Sequence, residues 1–265
     1  MSNALMEKWA AKTETLGSWL SLPDSHAAET VARVDFDYVC VDMQHGIADY
    51  QVAAVMLQAV TMTGKGTPIC RVPWNEPGII GRMLDAGARG IIIPMVNSVA
   101  EAESAVAATK YPPLGQRSYG PTIIGGRAAN AGEEYYPTAN QTNACIPMIE
   151  TRDAVENLDA ILAVEGVDAI YVGPADLSLS YGYGPAYSDD NEEYKEVLEY
   201  IVARCNEAGK IAGIHSTSAL AANRREKGFM MQTISGDIAA VAKGSYQDLK
   251  NAIEGGAGDG SSKIY

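Results

Sequence analysis

The chain is short of several things, and each shortage closes a line of interpretation. It has four cysteines, Cys40, Cys70, Cys145 and Cys205, with no CxxC spacing, so neither a disulfide framework nor a zinc site is expected. Three of them lie in apolar strand-like runs, as small buried residues of a reducing compartment do. There is no basic run: 20 Lys and Arg are scattered among 33 Asp and Glu, for a net charge of −13. Nucleic acid and anionic membrane need clustered positive charge and are poor candidate partners. An anionic substrate would have to be met by a metal or by a placed Arg. No stretch reaches the roughly 18 apolar residues of a spanning helix, and residues 1–20 show no signal-peptide core, which together point to a cytoplasmic protein. No G-x-G-x-x-G follows the first strand-like run, so a dinucleotide fold has no support.

What is present is alternation. Strand-like runs at 17–21, 37–42, 68–72, 90–94, 144–149, 168–172, 210–214 and 229–234 alternate with helix-like stretches at 25–33, 50–62, 76–85, 98–109, 153–164, 191–208 and 218–227. Several strand runs (YVCVD, GIIIP, AIYVG) are almost continuously apolar, as strands covered on both faces are. Eight such units in 265 residues imply an α/β fold, a single TIM-type (β/α)8 barrel, which typically takes about 250. A helix over 3–15 precedes the barrel, the domain runs over 1–252, and a Gly/Ser-rich tail, 253–265, follows it. Two features sit awkwardly. Pro147 falls inside the fifth strand, where a missing N–H breaks a ladder. The segment 111–143 is long and irregular, which marks a functional loop or an assembly surface.

In a parallel barrel the active site collects past the carboxyl ends of the strands. Glu150 and Asp176 each stand just past such an end, with Gly173 and Pro174 between them allowing backbone N–H groups to approach a ligand. Either acid alone reads as a surface group or helix N-cap. As a pair they suit a hard divalent cation with open positions. Strand two runs into Asp42, Gln44 and His45, and His is the usual proton shuttle near neutrality, although a structural loop His fits equally well. Arg71 ends strand three and could oppose developing oxyanion charge, or form a salt bridge to Asp42 or Glu76. His215 could touch substrate, with less support than His45; His26, beside Asp24, reads as a helix-start residue. Tyr135, Tyr136, Tyr181, Tyr183 and Tyr187 read as packing or interface residues. Asp85 closes a helix that runs away from the catalytic face, so it belongs to the surface or to a neighbouring subunit's site.

MQHG, RVPWN, LDAGARGIIIPMVNS, YPPLGQRSYG, MIET and VGPADLS follow one another in this order over roughly residues 15–250. Together they resemble the HpcH/HpaI aldolase family, metal-dependent class II pyruvate aldolases with a barrel of the phosphoenolpyruvate/pyruvate superfamily type. The resemblance implies Glu150 and Asp176 as ligands of Mg²⁺, Mn²⁺ or Co²⁺, Arg71 as enolate stabiliser, and His45 with Asp42 and Asp85 as the acid–base system. It implies that Gly173, Pro174 and Ala175 receive a carboxylate, that Trp19, Met148 and Ile214 wall the pocket, and that the subunits form a hexamer. Three places depart from the family pattern: Gln44 replaces a Glu, Met148 replaces an amide and makes the pocket less polar, and the loop after Arg117 reads SYGP rather than a second glycine directly.

The function so implied is reversible cleavage of a 4-hydroxy-2-oxoacid to pyruvate, or a related 2-oxoacid, and an aldehyde through a metal-stabilised enolate. Oxaloacetate decarboxylation or macrophomate-synthase-like chemistry of the same enolate is the nearest alternative. A barrel that binds a 2-oxoacid without turnover is the alternative of another class.

Overall fold

The computed structural model describes residues 2–185 and 190–254. Eight strands, β1 (Thr15–Leu20), β2 (Tyr38–Asp42), β3 (Thr67–Arg71), β4 (Gly90–Ile93), β5 (Ala144–Ile149), β6 (Ala169–Val172), β7 (Ile211–His215) and β8 (Met231–Gly236), pair in parallel in chain order, and β8 closes on β1. All eight expected strands are present with their ends shifted by two residues at most. The helices are α1 (Ala4–Ala10), α2 (Ser25–Ala32), α3 (Tyr50–Met62), α4 (Pro77–Ala86), α5 (Val99–Thr109), α6 (Thr122–Asn130), α7 (Tyr136–Thr142), α8 (Arg152–Glu156), α9 (Leu158–Leu162), α10 (Pro174–Ser180), α11 (Glu192–Glu207), α12 (Ala221–Lys227) and α13 (Asp237–Glu254).

The continuous apolar runs are explained by two cores. Cys40, Ile69, Ile92, Ile146, Met148 and Tyr171 point into the barrel, whereas Val39, Val41, Cys70, Ile91, Cys145 and Val172 face the helices. Leu5 and Trp9 of α1 join the inner cluster. The helix is held there by its cap, Asn3, whose amide donates to the Arg89 and Thr142 carbonyls at 2.9 and 2.8 Å. Asp24, Asp49, Ser98, Thr151 and Asn191 accept first-turn N–H bonds and start α2, α3, α5, α8 and α11. All four cysteines are free and buried.

Pro147 does lie within β5, and the ladder accommodates it. Ala144 N–H donates towards β4, to the Arg89 carbonyl at 3.0 Å, and Cys145 N–H towards β6, to Asp168 Oδ2 at 2.8 Å. By that alternation the missing N–H of Pro147 faces β6, whose pairing with β5 starts one residue later, at Met148 with Tyr171.

Other expectations need correction. The first helix stops at Ala10 rather than residue 15, because Lys12 takes a left-handed φ of 53° and the chain turns into β1. The helix expected over 153–164 is divided at Asn157, whose amide reaches the Asn97 carbonyl at 2.9 Å. Residues 111–143 are not wholly irregular but contain α6 and α7. Ile253 and Glu254, expected in the tail, end α13; residues 255–265 and Tyr187 lie outside the described residues. No described helix is long and apolar enough to cross a membrane.

Candidate active site

The carboxyl ends of the strands converge on a cavity of about 240 Å³. Trp19 reaches it from β1, His45 from the turn after β2, Arg71 from β3, Met148 and Glu150 from β5, Tyr171 from β6 and His215 from β7. Gly173, Pro174, Ala175 and Asp176, at the start of α10, form one side. No lysine lines the cavity among the described residues, which leaves no amine there for a Schiff base.

Asp42 does not line the cavity but organises two groups that do. Its carboxylate accepts both arms of the Arg71 guanidinium, Nε to Oδ1 at 2.9 Å and Nη2 to Oδ2 at 2.7 Å. Oδ1 also accepts the N–H of Gln44 at 3.0 Å and of His45 at 3.4 Å, which fixes the turn carrying the imidazole. Burial raises the Asp42 carboxyl, but Arg71 outweighs burial and holds it below the usual carboxylate range. Gly46 is required here: a Cβ on it would come within 2.1 Å of the Asp42 carbonyl oxygen. Gln44, one of the departures, has its Oε1 buried without a partner among the described residues.

Glu150 and Asp176 stand as neighbours on the cavity wall. Burial, with Asp176 adding to it, pushes the Glu150 carboxyl up to about 7, against the Met95 N–H and Arg71, which favour the charged form. Met95 donates to Glu150 Oε1 at 2.7 Å from a left-handed φ of 55°, an unfavourable conformation for a residue with a Cβ. A Cβ at Gly173 would fall 2.3 Å from Glu150 Oε2, so only glycine leaves room for that oxygen. The donors suit a hard divalent cation: two carboxylates whose mutual repulsion a cation would reverse. No group of three or more His, Cys, Asp or Glu forms a complete protein cage among the described residues, so positions would remain open for a ligand.

Trp19 organises the aromatic wall. Its ring stacks on Tyr171 with centroids 5.6 Å apart, meets His215 edge-on at 5.1 Å, and lies 4.9 Å beneath the Arg71 guanidinium carbon. Tyr171 is anchored through its hydroxyl to Thr233 Oγ1 at 2.5 Å. Burial and the Arg71 charge lower the His215 imidazole to about 4, so this wall is uncharged at neutral pH.

Two candidates are not brought together with the rest. Ile214 is fully buried in the helix-facing cluster and does not line the cavity, because strand alternation turns it outward and His215 inward. Asp85, on α4, is paired to Arg117 at 2.5 Å and does not line the cavity of its own chain. The sequence reading missed Tyr171 and Pro185. For Tyr171 the signal was parity, since its strand partner Met148 lies two residues before the inward-facing Glu150.

Comparison with known proteins identifies the family. The HpcH/HpaI aldolase/citrate lyase family model matches residues 15–243. The chain is 37% identical over 251 residues to a hydroxypyruvate/pyruvate aldolase of Rhizorhabdus wittichii, covering 94% of this chain and 98% of that protein. It is 35% identical to a 4-hydroxy-2-oxo-heptane-1,7-dioate aldolase of Salmonella typhimurium, covering 92% of each. A crystal structure of a family protein from Burkholderia cenocepacia superposes with a TM-score of 0.86 at 32% identity, over 95% of this chain and 99% of that one. The parallel eightfold barrel and the matched span establish that this chain belongs to the HpcH/HpaI aldolase/citrate lyase family.

Proposed function

We propose that the protein is a divalent-metal-dependent aldolase that reversibly cleaves a 4-hydroxy-2-oxoacid to pyruvate, or a related 2-oxoacid, and an aldehyde. The observation that carries this reading is the convergence of Glu150, Asp176, Arg71 and His45 on one cavity at the carboxyl ends of the strands. Glu150 and Asp176 would hold Mg²⁺, Mn²⁺ or Co²⁺, which when bound supplies Lewis acidity towards a 2-oxo oxygen. Arg71 contributes fixed positive charge where negative charge develops on the substrate oxygen. Its pairing with Asp42 sets its direction beforehand, so little reorganisation accompanies the reaction. His45, exposed at the rim, takes the proton of the 4-hydroxyl in cleavage and returns it in condensation. The backbone from Gly173 to Ala175 receives the substrate carboxylate, and Trp19 and Met148 wall the pocket.

The same reading includes a cytoplasmic homo-oligomer, a hexamer, in which Asp85 serves a neighbouring subunit's site. Its support is the exposed apolar face of α13, where Ile238, Val241, Leu249 and Ile253 are 53–75% exposed, and the position of Asp85 outside its own chain's cavity. Mixing Asp85→Asn with His45→Gln subunits is expected to restore part of the activity that each has lost alone.

Chelator-treated protein supplied with each cation and 4-hydroxy-2-oxoheptanedioate is expected to release pyruvate, and to exchange pyruvate methyl protons in deuterated water. Absence of both with every cation would leave only a 2-oxoacid-binding barrel. Pyruvate formed from oxaloacetate alone would move the assignment to decarboxylation.

A further inference from the structure

The end of the barrel opposite the active site holds another cavity, of about 250 Å³, between the turn entering β3, the end of α4 and helix α6. Its lining includes Lys65, Arg89 and Arg127 but no Asp or Glu, in a chain where acids outnumber bases by 33 to 20. Lys65 is committed elsewhere, to the Asp35 carboxylate and the Arg33 carbonyl, both at 2.7 Å. The two arginines are not. Arg89 is only 5% exposed; its Nη2 donates to the Ser2 carbonyl at 3.0 Å, while its Nη1 is buried with no partner among the described residues. Arg127 makes no ion pair among the described residues, and its Nη1 is likewise buried and unmatched among them. Gly87 admits it closely, since a Cβ on that residue would meet Arg127 Nη1 at 2.6 Å.

Two guanidinium groups with unmatched donors in one acid-free cavity form a site for negative charge. Burial lowers both below the usual arginine range; Tyr135 and Glu133, which do not line the cavity, oppose this for Arg89, and no charged neighbour among the described residues does so for Arg127. A planar fork of donors matches the oxygens of phosphate or carboxylate. We propose that this cavity binds a small oxyanion, shared between Arg89 and Arg127, that ties α6 to the floor of the barrel. Such an ion would be met by the guanidinium atoms that face the cavity.

Thermal melts of the full chain, treated with chelator, test this when sodium phosphate, sulfate or acetate is compared with sodium chloride at equal ionic strength. At least one oxyanion is expected to raise Tm saturably by about 2–4 °C. The rise should fall by more than half in Arg127→Gln and persist in Arg71→Lys, which alters the arginine of the active site instead. Arg127→Lys keeps the charge without the fork and should bind at least about threefold more weakly; it serves as the test if Arg127→Gln does not fold. Equal shifts in wild type and the Arg127 variant, or no saturable shift with any of the three anions, overturn the proposal.

Discussion

Replacing Glu150 with Gln should stabilise the metal-free protein while removing its function. The native carboxyl holds its proton up to about 7, whereas an unfolded one releases it near 4.5. A carboxyl raised in this way favours the native state below about 4.5 and loses that contribution as pH climbs through 7. The interval corresponds to about 3 kcal/mol at most, and relaxation around the charged group reduces it. Glutamine removes the charge yet keeps an oxygen for the Met95 N–H, now 2.7 Å from Oε1. At about 2–4 °C per kcal/mol for a chain of this size, the mutant should melt about 3–8 °C above wild type near pH 8. Near pH 5 the gap should shrink to about a quarter of that. Scanning calorimetry on chelator-dialysed samples measures both, and added Mn²⁺ should raise the Tm of wild type only. A mutant that melts below wild type near pH 8, or a gap unchanged between the two pH values, refutes the reasoning.

The remaining expectations concern neighbouring groups. Arg71→Lys loses the two-armed contact to Asp42 and should lower kcat for cleavage by about 10²–10³-fold in a pyruvate-release assay; a loss under about tenfold counts against the assigned role. Gly173→Ala drives a methyl against Glu150 Oε2 and should weaken Mn²⁺ binding at least about tenfold by calorimetry; an unchanged Kd means that this oxygen does not face the cation. The His215 C2 proton should titrate in NMR with a midpoint near about 4. Because an unfolded histidine takes its proton near 6.5, His215 leaves stability intact above 6.5 and removes it as pH falls towards about 4. A midpoint at or above about 6 contradicts the buried wall described for it.

The strands were readable because a barrel strand covered on both faces has almost no polar positions, and YVCVD or AIYVG fits little else at such short length. The helices on the outside were harder. In α6 two adjacent glycines, Gly125 and Gly126, suggest a loop, and the helix exists because Ile124 and Ala128 pack under Tyr111 and Tyr135. For α13 the helical spacing of Ile238, Val241, Ala242, Leu249 and Ile253 was available in the sequence. Of its residues only Asp237, at the first position, is buried, so the apolar positions that give the helix away stay largely exposed among the described residues.

The site was legible in its charges and less so in its walls. Glu150, Asp176, Arg71 and His45 stand out because a charged or titrating residue after an apolar strand is conspicuous, and the structure brings all four to one cavity. An aromatic inside a strand is not conspicuous, and Tyr171 looks like any other core residue until the facing of its strand is known. Once Glu150 points inward, the two-residue repeat sends Met148 inward as well, and the pairing of Met148 with Tyr171 carries that facing to β6. On β6 and β7, Val172 pairs with Ile214, and both belong to the helix-facing layer. His215, one residue on, therefore meets the cavity where the resemblance had put Ile214. That exchange bears on the chemistry. With His215 neutral and Met148 apolar, the lasting positive charge on the described wall is Arg71 alone, already shared with Asp42. On the proposed reading, a carboxylate beside a 2-oxo group would be met by the ion that Glu150 and Asp176 would hold, through direct coordination more than through net charge, because the two carboxylates already balance a divalent cation.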